Sequence, residues 1–435
     1  MAVSTRSLAD ALSAIVGAEA MGSGAATRPV DGVVPRWVVA PATTAELGAV
    51  LGLAYAERLV VVPRGSGRAM ALGHPLTRAD LVVDLARMDA VLEFNPDDLT
   101  LTVGAGATLG SLAVRLRPHG QLLPLDPPQA ATRTVGGVVA TNASGPLRAR
   151  YGTSRDLLLG IRFVQADGVV TWGGARVVKS VTGYDIPKLM VGALGTLGIL
   201  AELTLRLHPL PACERTWIVG FETTAGAQAF LASLIDSSLQ PNRVEWLNRV
   251  AARDWTERSV TAAILLSVGS VEAAVLAQQS RIEGLARQAS GVMREVVPAR
   301  WFGHGAGRDS SEVVTLRVGT LPNVLADTVN GLEGALAELA PAAILAVSGS
   351  AILGALRAEL RGASLAEATA FVSRARSLVE PLAGSVVVEA APIAVRRAVD
   401  PWGPVPPESF ALMQAIKREF DPERILNPGR FVGGL

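Results

Sequence analysis

The amino-acid sequence predicts an α+β fold in its first half and a separate α/β domain in its second half. Its 435 residues exceed the length of one ordinary domain. In the first half, short apolar strands and helices surround glycine-rich loops, whereas the second half alternates strands and helices without such loops. Apolar residues make up 49% of the chain and charged residues 18%, so a large core forms and disorder is excluded.

The first half is predicted to begin with a helix over residues 4–21, followed by a Gly/Ser/Ala linker. A helix over residues 44–57 follows the first strand, and Thr43 or Thr44 is expected to cap it. Thr108 is expected to open a second helix that ends at Arg117. The predicted strands of this half are residues 37–39, 59–62, 80–84, 99–103, 158–165, 169–172 and 199–207.

The second half begins after Pro209 and Pro211, where the pattern of the chain changes. Its alternation of strands and helices predicts an α/β domain that shapes a pocket. The predicted strands are residues 217–221, 262–268 and 313–318, and the predicted helices are residues 225–235, a long helix that runs through residue 287, and residues 324–339 and 408–420. The resulting divisions are residues 1–30, 31–211, 212–395 and 396–435.

Charge and cysteine content exclude several functions. Forty basic residues against thirty-nine acidic ones give a net charge of +1, which provides no field for nucleic acid or an anionic membrane. The single cysteine, Cys213, excludes an intrachain disulfide and an iron–sulfur cluster held by this chain alone. The uncharged run of residues 339–356 contains Pro341 and several glycines and serines, so no transmembrane segment is predicted. These features fit a cytoplasmic location.

Three glycine clusters lie in the first half. Gly104, Gly106 and Gly110 follow a strand, but their GxGxxxG spacing differs from the dinucleotide GxGxxG pattern, which favours a tight turn over a nucleotide site. The loop of residues 63–68 follows an apolar strand and is read either as an anion cradle or as an exposed turn. The small residues of 134–146 allow the backbone to approach a flat ligand closely.

The order of these motifs carries a resemblance to a family. Thr-Val-Gly-Gly at residues 134–137, Asp-Ile-Pro-Lys-Leu at 185–189 and Gly-Thr-Leu-Gly-Ile at 195–199 follow the loop of residues 63–68 in the same order as in flavoproteins of the vanillyl-alcohol oxidase type. Their FAD-binding domain is called the PCMH-type fold. The two ends of the chain's last segment, 400–404 and 429–434, most resemble the FAD-binding subunit of glycolate oxidase.

The resemblance implies that FAD lies between two α+β subdomains in residues 31–211, that residues 212–395 form a substrate or cap domain, and that residues 396–435 return to the FAD domain. Arg68 stands where some relatives carry a histidine that binds flavin covalently, so the FAD is expected to be non-covalent. The residues that the resemblance assigns to FAD are Pro63, Arg64, Gly65, Ser66, Gly67, Arg68, Pro127, Thr134, Gly136, Gly137, Ala140, Asn142, Gly145, Gly198 and Ile199.

Candidate catalytic residues are fewer. Relatives that oxidise 2-hydroxy acids commonly carry histidines in the second domain, but the four histidines here form no close pair, and no metal site is expected. Arg317 is a candidate partner for a substrate carboxylate, with a surface arginine as the alternative. His304 is read as a structural or solvent-facing loop residue. Asn427 is a second candidate, because the family places its segment on the flavin domain.

These features together predict an FAD-binding subunit of a glycolate (2-hydroxy acid) dehydrogenase complex. The expected partners are a small hydroxy-acid substrate, a sister flavoprotein subunit and an iron–sulfur subunit. The expected location is cytoplasmic, with a peripheral place at the inner face of the membrane through these partners as the variant. One alternative is an autonomous FAD-dependent dehydrogenase of D-lactate or another hydroxy acid or alcohol. Another is a flavin-binding structural subunit without turnover. A nicotinamide dehydrogenase is a more distant reading, which depends only on the Gly104 loop.

Overall fold

The computed structural model describes residues 5–23, 29–174, 184–297 and 312–435, and the chain forms two compact units. The first unit comprises Met1–Ser144, Gly152–Leu210 and Pro404–Leu435, and the second comprises Gly145–Tyr151 and Pro211–Gly403. The C-terminal segment therefore packs with the first half of the chain, and a short piece of the first half packs with the second. The functional roles assigned above to the four divisions of the chain stay predictions.

The secondary structure of the described residues is as follows. In chain order the strands are β1 (Met21–Ser23), β2 (Trp37–Val39), β3 (Val61–Arg64), β4 (Leu81–Asp84), β5 (Val91–Asn95), β6 (Thr100–Gly104), β7 (Gln121–Leu122), β8 (Leu158–Val164), β9 (Val170–Gly174), β10 (Ile199–Arg206), β11 (His208–Pro209), β12 (Cys213–Phe221), β13 (Arg243–Asn248), β14 (Ala262–Ser270), β15 (Val292–Val296), β16 (Val313–Gly319), β17 (Ile344–Ser350), β18 (Ala355–Arg361) and β19 (Ser385–Ala390). The α-helices are α1 (Thr5–Val16), α2 (Thr44–Ala56), α3 (Leu109–Leu116), α4 (Val135–Thr141), α5 (Arg148–Tyr151), α6 (Ser154–Leu157), α7 (Ile186–Met190), α8 (Thr224–Ile235), α9 (Arg249–Ala252), α10 (Glu272–Gln288), α11 (Leu325–Leu339), α12 (Leu365–Val379), α13 (Ile393–Ala398) and α14 (Pro407–Phe420).

The first sheet of the first unit has the strand order β1-β2-β4-β3. Strands β2 and β3 lie parallel to β4, and parallel strands require a crossover. Helix α2 forms the crossover from β2 to β3, and residues 65–80 connect β3 to β4. The helix begins where predicted, because the Thr43 hydroxyl accepts a hydrogen bond from the Glu46 N–H at 3.1 Å. The carboxyl end of β3 then leads directly into the glycine loop of residues 63–68.

The N-terminal helix is shorter than predicted. It ends at Val16, because Gly17 adopts a φ of +87° that no helix continues. The next residues form a short 3₁₀ turn and then β1, which pairs antiparallel with β2. The predicted linker therefore begins inside a strand, since the backbone of Gly22 pairs with that of Val38.

The second sheet of the first unit is antiparallel, with the strand order β5-β6-β10-β8-β9. Its central strand β10 lies within the strand predicted for residues 199–207, and its burial alternates between buried and half-buried residues from Ala201 to Leu205. Leu203 and Leu205 are fully buried in one core with Val103 of β6 and Leu112 of α3. Helix α3 begins at its predicted cap, where the Thr108 hydroxyl accepts from the Ser111 N–H at 3.1 Å.

The second unit contains an eight-stranded sheet with the order β15-β12-β14-β13-β17-β18-β16-β19. All of its neighbouring strands pair antiparallel. Helices α8, α10, α11 and α12 contribute to its main core, in which Trp246, Leu316 and Phe371 are fully buried. The predicted mixture of strands and helices in both halves is confirmed. On the opposite face, Ile218, Leu247 and Leu265 form a smaller hydrophobic cluster with Trp255, while the part around β16 and β18 carries charged side chains.

The C-terminal segment returns to the first sheet after α14. Leu426 forms a parallel bridge with Val61 of β3. The Val61 N–H donates to the Ile425 carbonyl and the Asn427 N–H donates to the Val61 carbonyl, both at 2.8 Å. The segment thus extends β3 beside the glycine loop. Within the described residues, no helix combines the length and the apolar character that crossing a bilayer requires.

Candidate functional site

A cavity lies in the first unit. Its empty volume is about 880 Å³, including open solvent at its mouth. The walls come from the loop after β3, the start of α4, the turn before β10 and the C-terminal segment. The lining residues are Pro63, Arg64, Gly65, Ser66, Gly67, Arg68, Ala69, Met70, Leu72, Leu85, Arg133, Thr134, Gly136, Gly137, Ala140, Thr141, Met190, Ala193, Leu194, Gly195, Gly198, Ile199, Leu200, Asn427 and Arg430.

The Arg64 guanidinium is a fixed donor in this cavity. Its Nε and Nη2 donate to Asp84 Oδ2 at 3.2 and 2.7 Å, and Asp84 Oδ1 is itself fixed by the Ala86 N–H at 3.0 Å. The remaining Nη1 is buried and has no hydrogen-bond partner among the described residues. A buried cationic N–H without a partner is costly. Arg64 therefore suits an anionic group of a bound ligand.

The loop of residues 63–68 packs tightly on the cap of α4. A Cβ atom at Gly65 would stand 2.1 Å from the Thr134 hydroxyl oxygen, so no side chain fits there. Gly67 has a φ of +74°, a left-handed conformation that favours glycine. These two glycines explain the small residues of the loop and leave its backbone N–H groups close to the cavity.

Helix α4 forms the second wall, and its two glycines differ in surroundings. A Cβ at Gly136 would lie 2.7 Å from the Ala105 Cβ and 2.9 Å from the Ala105 carbonyl oxygen. A Cβ at Gly137 would meet only the Thr134 hydroxyl oxygen, at 2.9 Å. That hydroxyl caps the helix by accepting from the Gly137 N–H at 3.3 Å. Gly136 is therefore required for packing, whereas Gly137 leaves space on the cavity side.

The Gly104 cluster serves a different purpose. A Cβ at Gly104 would lie 2.1 Å from the Met88 carbonyl oxygen, and one at Gly106 would lie 2.0 Å from the Leu85 carbonyl oxygen. These glycines are enclosed by backbone and neither lines the cavity. The tight-turn reading of this cluster agrees with its geometry.

The turn before β10 forms the third wall. Leu194 has a φ of +53°, which is strained for a residue with a large side chain. Its carbonyl accepts from Asn427 Nδ2 at 2.8 Å. A Cβ at Gly195 would lie 2.4 Å from Pro63 Cγ, so this turn touches the first loop. The strained turn is thus held by both the C-terminal segment and the glycine loop.

Lys417 of α14 is buried beside this turn. Its Nζ donates to the Thr196 carbonyl at 2.8 Å, to Asp421 Oδ2 at 2.6 Å and to the Leu426 carbonyl at 3.0 Å. Burial lowers the pKa of Lys417, and the Asp421 carboxylate opposes that shift. None of the motifs quoted above includes this lysine, and its place four residues before Asp421 on the same helix end was the one signal in the sequence.

Most residues assigned to FAD meet in the cavity. Its lining includes Pro63, Arg64, Gly65, Ser66, Gly67, Arg68, Thr134, Gly136, Gly137, Ala140, Gly198 and Ile199, together with Asn427. Pro127 is buried elsewhere, and Asn142 caps the carboxyl end of α4 with a φ of +48°. Gly145 belongs to the second unit. The structure therefore does not bring these three residues to the lining, and their assignment to FAD stays a prediction.

The lining also contains residues that the sequence analysis missed. Some of them lie within or beside the quoted motifs: Arg133, Thr141, Gly195 and Arg430. The position of these four residues in the sequence could therefore have identified them as part of the site. Met70 and the other apolar lining residues carry no comparable signal.

Arg317 lies in the second unit, on the face of the eight-stranded sheet opposite its main core, in the charged part around β16 and β18. It is half-buried and stands opposite Arg357 across the β16–β18 pair. Arg357 has carboxylate partners in Glu389 at 3.2 Å and Glu359 at 3.5 Å. Arg317 has no ion pair with any carboxylate of the described residues. Two adjacent guanidinium groups, one lacking a counter-charge, favour an anion on this face.

A second polar cluster of this unit surrounds Tyr151. Its hydroxyl accepts from Asn242 Nδ2 at 3.2 Å. The neighbouring Arg243 contacts Glu214, which also accepts from the Ser267 hydroxyl at 2.9 Å. Burial raises the pKa of Tyr151 above its usual value of 10.0.

A metal centre has no support in the parts of the chain that the structure describes. Among those residues, no three histidine, cysteine, aspartate or glutamate side chains gather where an ion could bind. His304 lies outside the described residues.

The cavity fits a flavin dinucleotide. Its glycines allow close backbone approach, and the buried Nη1 of Arg64 supplies a donor for an anionic oxygen. The buried Asn427 Oδ1 has no partner among the described residues and supplies an acceptor. The chemistry of this donor and acceptor set therefore agrees with the cofactor that the sequence motifs imply.

Two family models match the chain. An FAD binding domain matches residues 35–174, and the C-terminal domain of FAD linked oxidases matches residues 404–431. Both ranges lie mainly in the first unit and include the cavity walls of the first loop, α4 and the C-terminal segment. The chain thus carries an FAD-binding domain.

Curated relatives match different parts of the chain. It is 32% identical to glycolate oxidase subunit GlcD of Bacillus subtilis over 50% of this chain and 46% of that protein. It is 32% identical to glycolate oxidase subunit GlcE of Escherichia coli over 43% of this chain and 52% of that protein. The chain therefore spans about half the length of these relatives. A D-lactate dehydrogenase of Archaeoglobus fulgidus is 29% identical over 92% of this chain and 91% of that protein.

Solved structures share the fold at low identity. Alkyldihydroxyacetonephosphate synthase superposes with a TM-score of 0.78 at 15% identity, covering 99% of this chain and 86% of that one. p-Cresol methylhydroxylase gives 0.73 at 15% identity, covering 98% and 96%. These similarities confirm the predicted fold class.

Proposed function

Because an FAD binding domain and the C-terminal domain of FAD linked oxidases match parts of the chain, we propose that it is the FAD-binding subunit of a complex that oxidises glycolate or another small 2-hydroxy acid. The observation that carries the proposal is the cavity of the first unit, where the buried Arg64 donor, the loop of residues 63–68 and helix α4 all lie within the FAD-binding match. The identities with two glycolate oxidase subunits support the substrate class.

The residues of the cavity bind and orient the cofactor in this proposal. FAD, when bound, accepts a hydride from the carbon that carries the substrate hydroxyl. The Nη1–H of Arg64 and backbone N–H groups of the loop of residues 63–68 would hold the pyrophosphate of FAD. Gly137 and Ala140 allow the α4 backbone to lie against the cofactor. Asn427 offers Oδ1 as an acceptor, while its Nδ2 stays on the Leu194 carbonyl. An amide takes no proton at neutral pH, so Asn427 orients and does not act as a base.

Arg317 is proposed to hold the substrate carboxylate. Its guanidinium has no carboxylate partner among the described residues, and a planar fork pairs with a carboxylate in bidentate fashion. Arg317→Met is expected to weaken substrate binding by about 1.5–3 kcal/mol, with little change in flavin content. Arg374→Met, at an exposed ion pair on α12, is the matched control.

The proposal includes partners that carry electrons onward. Iron–sulfur clusters need several thiolates, and this sequence has one cysteine. A sister flavoprotein subunit and an iron–sulfur subunit complete the complex, which lies in the cytoplasm and is held at the membrane by its partners.

A second candidate function is an autonomous D-lactate dehydrogenase. The archaeal D-lactate dehydrogenase favours it, because that similarity extends over 92% of this chain and 91% of the relative. The two candidates differ in whether the isolated chain reduces its flavin.

Anaerobic titration of the purified chain separates the two candidates. The subunit proposal predicts a flavin spectrum that glycolate and D-lactate leave unchanged until the native partners are added. Bleaching of the flavin by D-lactate in the isolated chain would favour the autonomous enzyme. If the flavin stays oxidised when the partners and each tested 2-hydroxy acid are present, the result would favour a flavin-binding structural subunit without turnover.

A further inference from the structure

Lys417 joins two walls of the cavity from outside its lining. The residue is 3% exposed, and its ammonium has three N–H donors. Three acceptors surround it: the carbonyls of Thr196 and Leu426 and a carboxylate oxygen of Asp421. Every donor is therefore used, and no other side chain at this position supplies three donors from one atom.

Asp421 makes the arrangement rigid. It is fully buried, and its Oδ1 accepts from the Ile425 N–H at 3.0 Å while Oδ2 accepts from the Leu426 N–H at 2.8 Å. The carboxylate thus fixes both the lysine and the backbone that pairs with Val61 of β3. Strand β3 leads into the loop of residues 63–68, which is the first wall of the cavity.

The other connection runs to the turn before β10. Lys417 binds the Thr196 carbonyl, and the Thr196 hydroxyl donates to the Ala193 carbonyl at 2.7 Å. This turn contains Leu194 in its strained left-handed conformation. Such strain costs on the order of 1–3 kcal/mol and persists only where neighbouring groups impose it. Asn427 and Lys417 are the side chains of the C-terminal segment that do so.

We propose that Lys417 is a positioning residue for FAD, which fastens the turn of residues 193–198 to the β3 extension of residues 425–427 so that both walls keep the geometry that binds the cofactor. The inference rests on FAD binding by this chain and not on the proposed substrate. The lysine acts through Thr196 and Leu426 and does not touch the cofactor.

The principal test replaces the buried pair together. Lys417→Met alone leaves the Asp421 charge buried without its partner, which is strongly destabilising, so the double variant Lys417→Met with Asp421→Asn is used. Lys188→Met is the matched control, because Lys188 forms a similar pair with Asp185 on the surface, with its side chain 43% exposed. We expect the double variant to release FAD at least about tenfold faster and to show altered visible circular dichroism of the bound flavin, while the control matches the wild type.

Two outcomes would overturn the proposal. One is an unchanged release rate and flavin signal in the double variant. The other is flavin loss that only follows the unfolded fraction, measured by the melting of the apoprotein, because a purely structural role would lower stability without changing the flavin signal of the folded molecules.

A wild-type measurement keeps the proposal testable if the variant does not fold. Hydrogen exchange of the apoprotein and the FAD-bound protein should show that residues 193–199 and 425–427 gain protection together. A gain of protection in residues 193–199 alone would contradict the proposed coupling between this turn and residues 425–427. A wild-type chain that takes up no FAD would refute this inference, whereas a flavin-loaded chain inert toward glycolate with its partners would refute only the proposed function.

Discussion

Replacing Gly137 by valine should remove flavin while leaving the fold intact. Gly137 lines the cavity, and a Cβ there would meet only the Thr134 hydroxyl oxygen, at 2.9 Å. The valine side chain would therefore fill space that the structure leaves open on the cavity side. If the cofactor uses that space, accommodating the side chain should cost about 1–3 kcal/mol, which corresponds to roughly 5- to 150-fold weaker binding.

The expected cost to folding is smaller. Displacing the Thr134 hydroxyl weakens the cap of α4, which contributes about 1 kcal/mol. Replacing a helical glycine by valine raises the free energy of unfolding by a few tenths of a kcal/mol through helix propensity. The net change should lower the melting temperature by only a few degrees.

Flavin content and thermal melting, measured on the same preparations, check this prediction. Gly136→Val should behave differently, because its Cβ would stand 2.9 Å from the Ala105 backbone oxygen and the fold itself should suffer. Gly334→Val, at a helical glycine with open space around it, should change neither quantity. Normal flavin content in Gly137→Val would show that this side of α4 does not face the cofactor.

Three further outcomes are expected. Acid precipitation should release all flavin into the supernatant, since Arg68 replaces the linking histidine; colour that stays on the pellet would contradict non-covalent binding. Arg64→Met should weaken FAD binding roughly 10- to 150-fold by removing a charge-assisted donor, whereas Arg58→Met, at an exposed pair, should not. Burial raises the pKa of Tyr151, so the folded state keeps a proton that the unfolded state loses near pH 10. The contribution of Tyr151 to the free energy of unfolding is therefore full below that pH and declines above it. In an absorbance titration, Tyr151→Phe should remove the tyrosinate signal that appears at the highest pH.

Local features of the fold were predictable from the sequence. The caps at Thr43 and Thr108 were found where expected, because a threonine before an apolar periodic run satisfies free N–H groups at a helix start. Strand β10 was also found, since its alternation of buried and half-buried residues is a property of the strand alone. These signals need no knowledge of distant residues.

Long-range pairings were not predictable in the same way. The half-buried Arg64–Asp84 contact joins the ends of two parallel strands, and the Val61–Leu426 bridge joins opposite ends of the chain. Neither of these two pairings produces a periodic pattern of apolar and polar residues in the sequence. The placement of Gly145–Tyr151 with the second unit is similar, because a short segment can pack with either half without any change in its composition.

The glycine clusters show most clearly why motif spacing alone does not identify a cofactor site. Gly104, Gly136 and Gly137 all belong to glycine clusters of the first half and look alike in the sequence. What separates them is the atom that a side chain would meet: the Met88 backbone oxygen for Gly104, the Ala105 backbone and side chain for Gly136, and only a movable hydroxyl for Gly137. The backbone atoms of Met88 and Ala105 cannot move away from an added side chain without distorting the fold. The first two glycines are therefore required for folding whether or not a ligand binds. Of these three glycines, Gly137 is the one that packing alone does not require, so loss of flavin after its replacement reports on the cofactor site and not on folding. A mutational test of the cofactor site must therefore begin at Gly137.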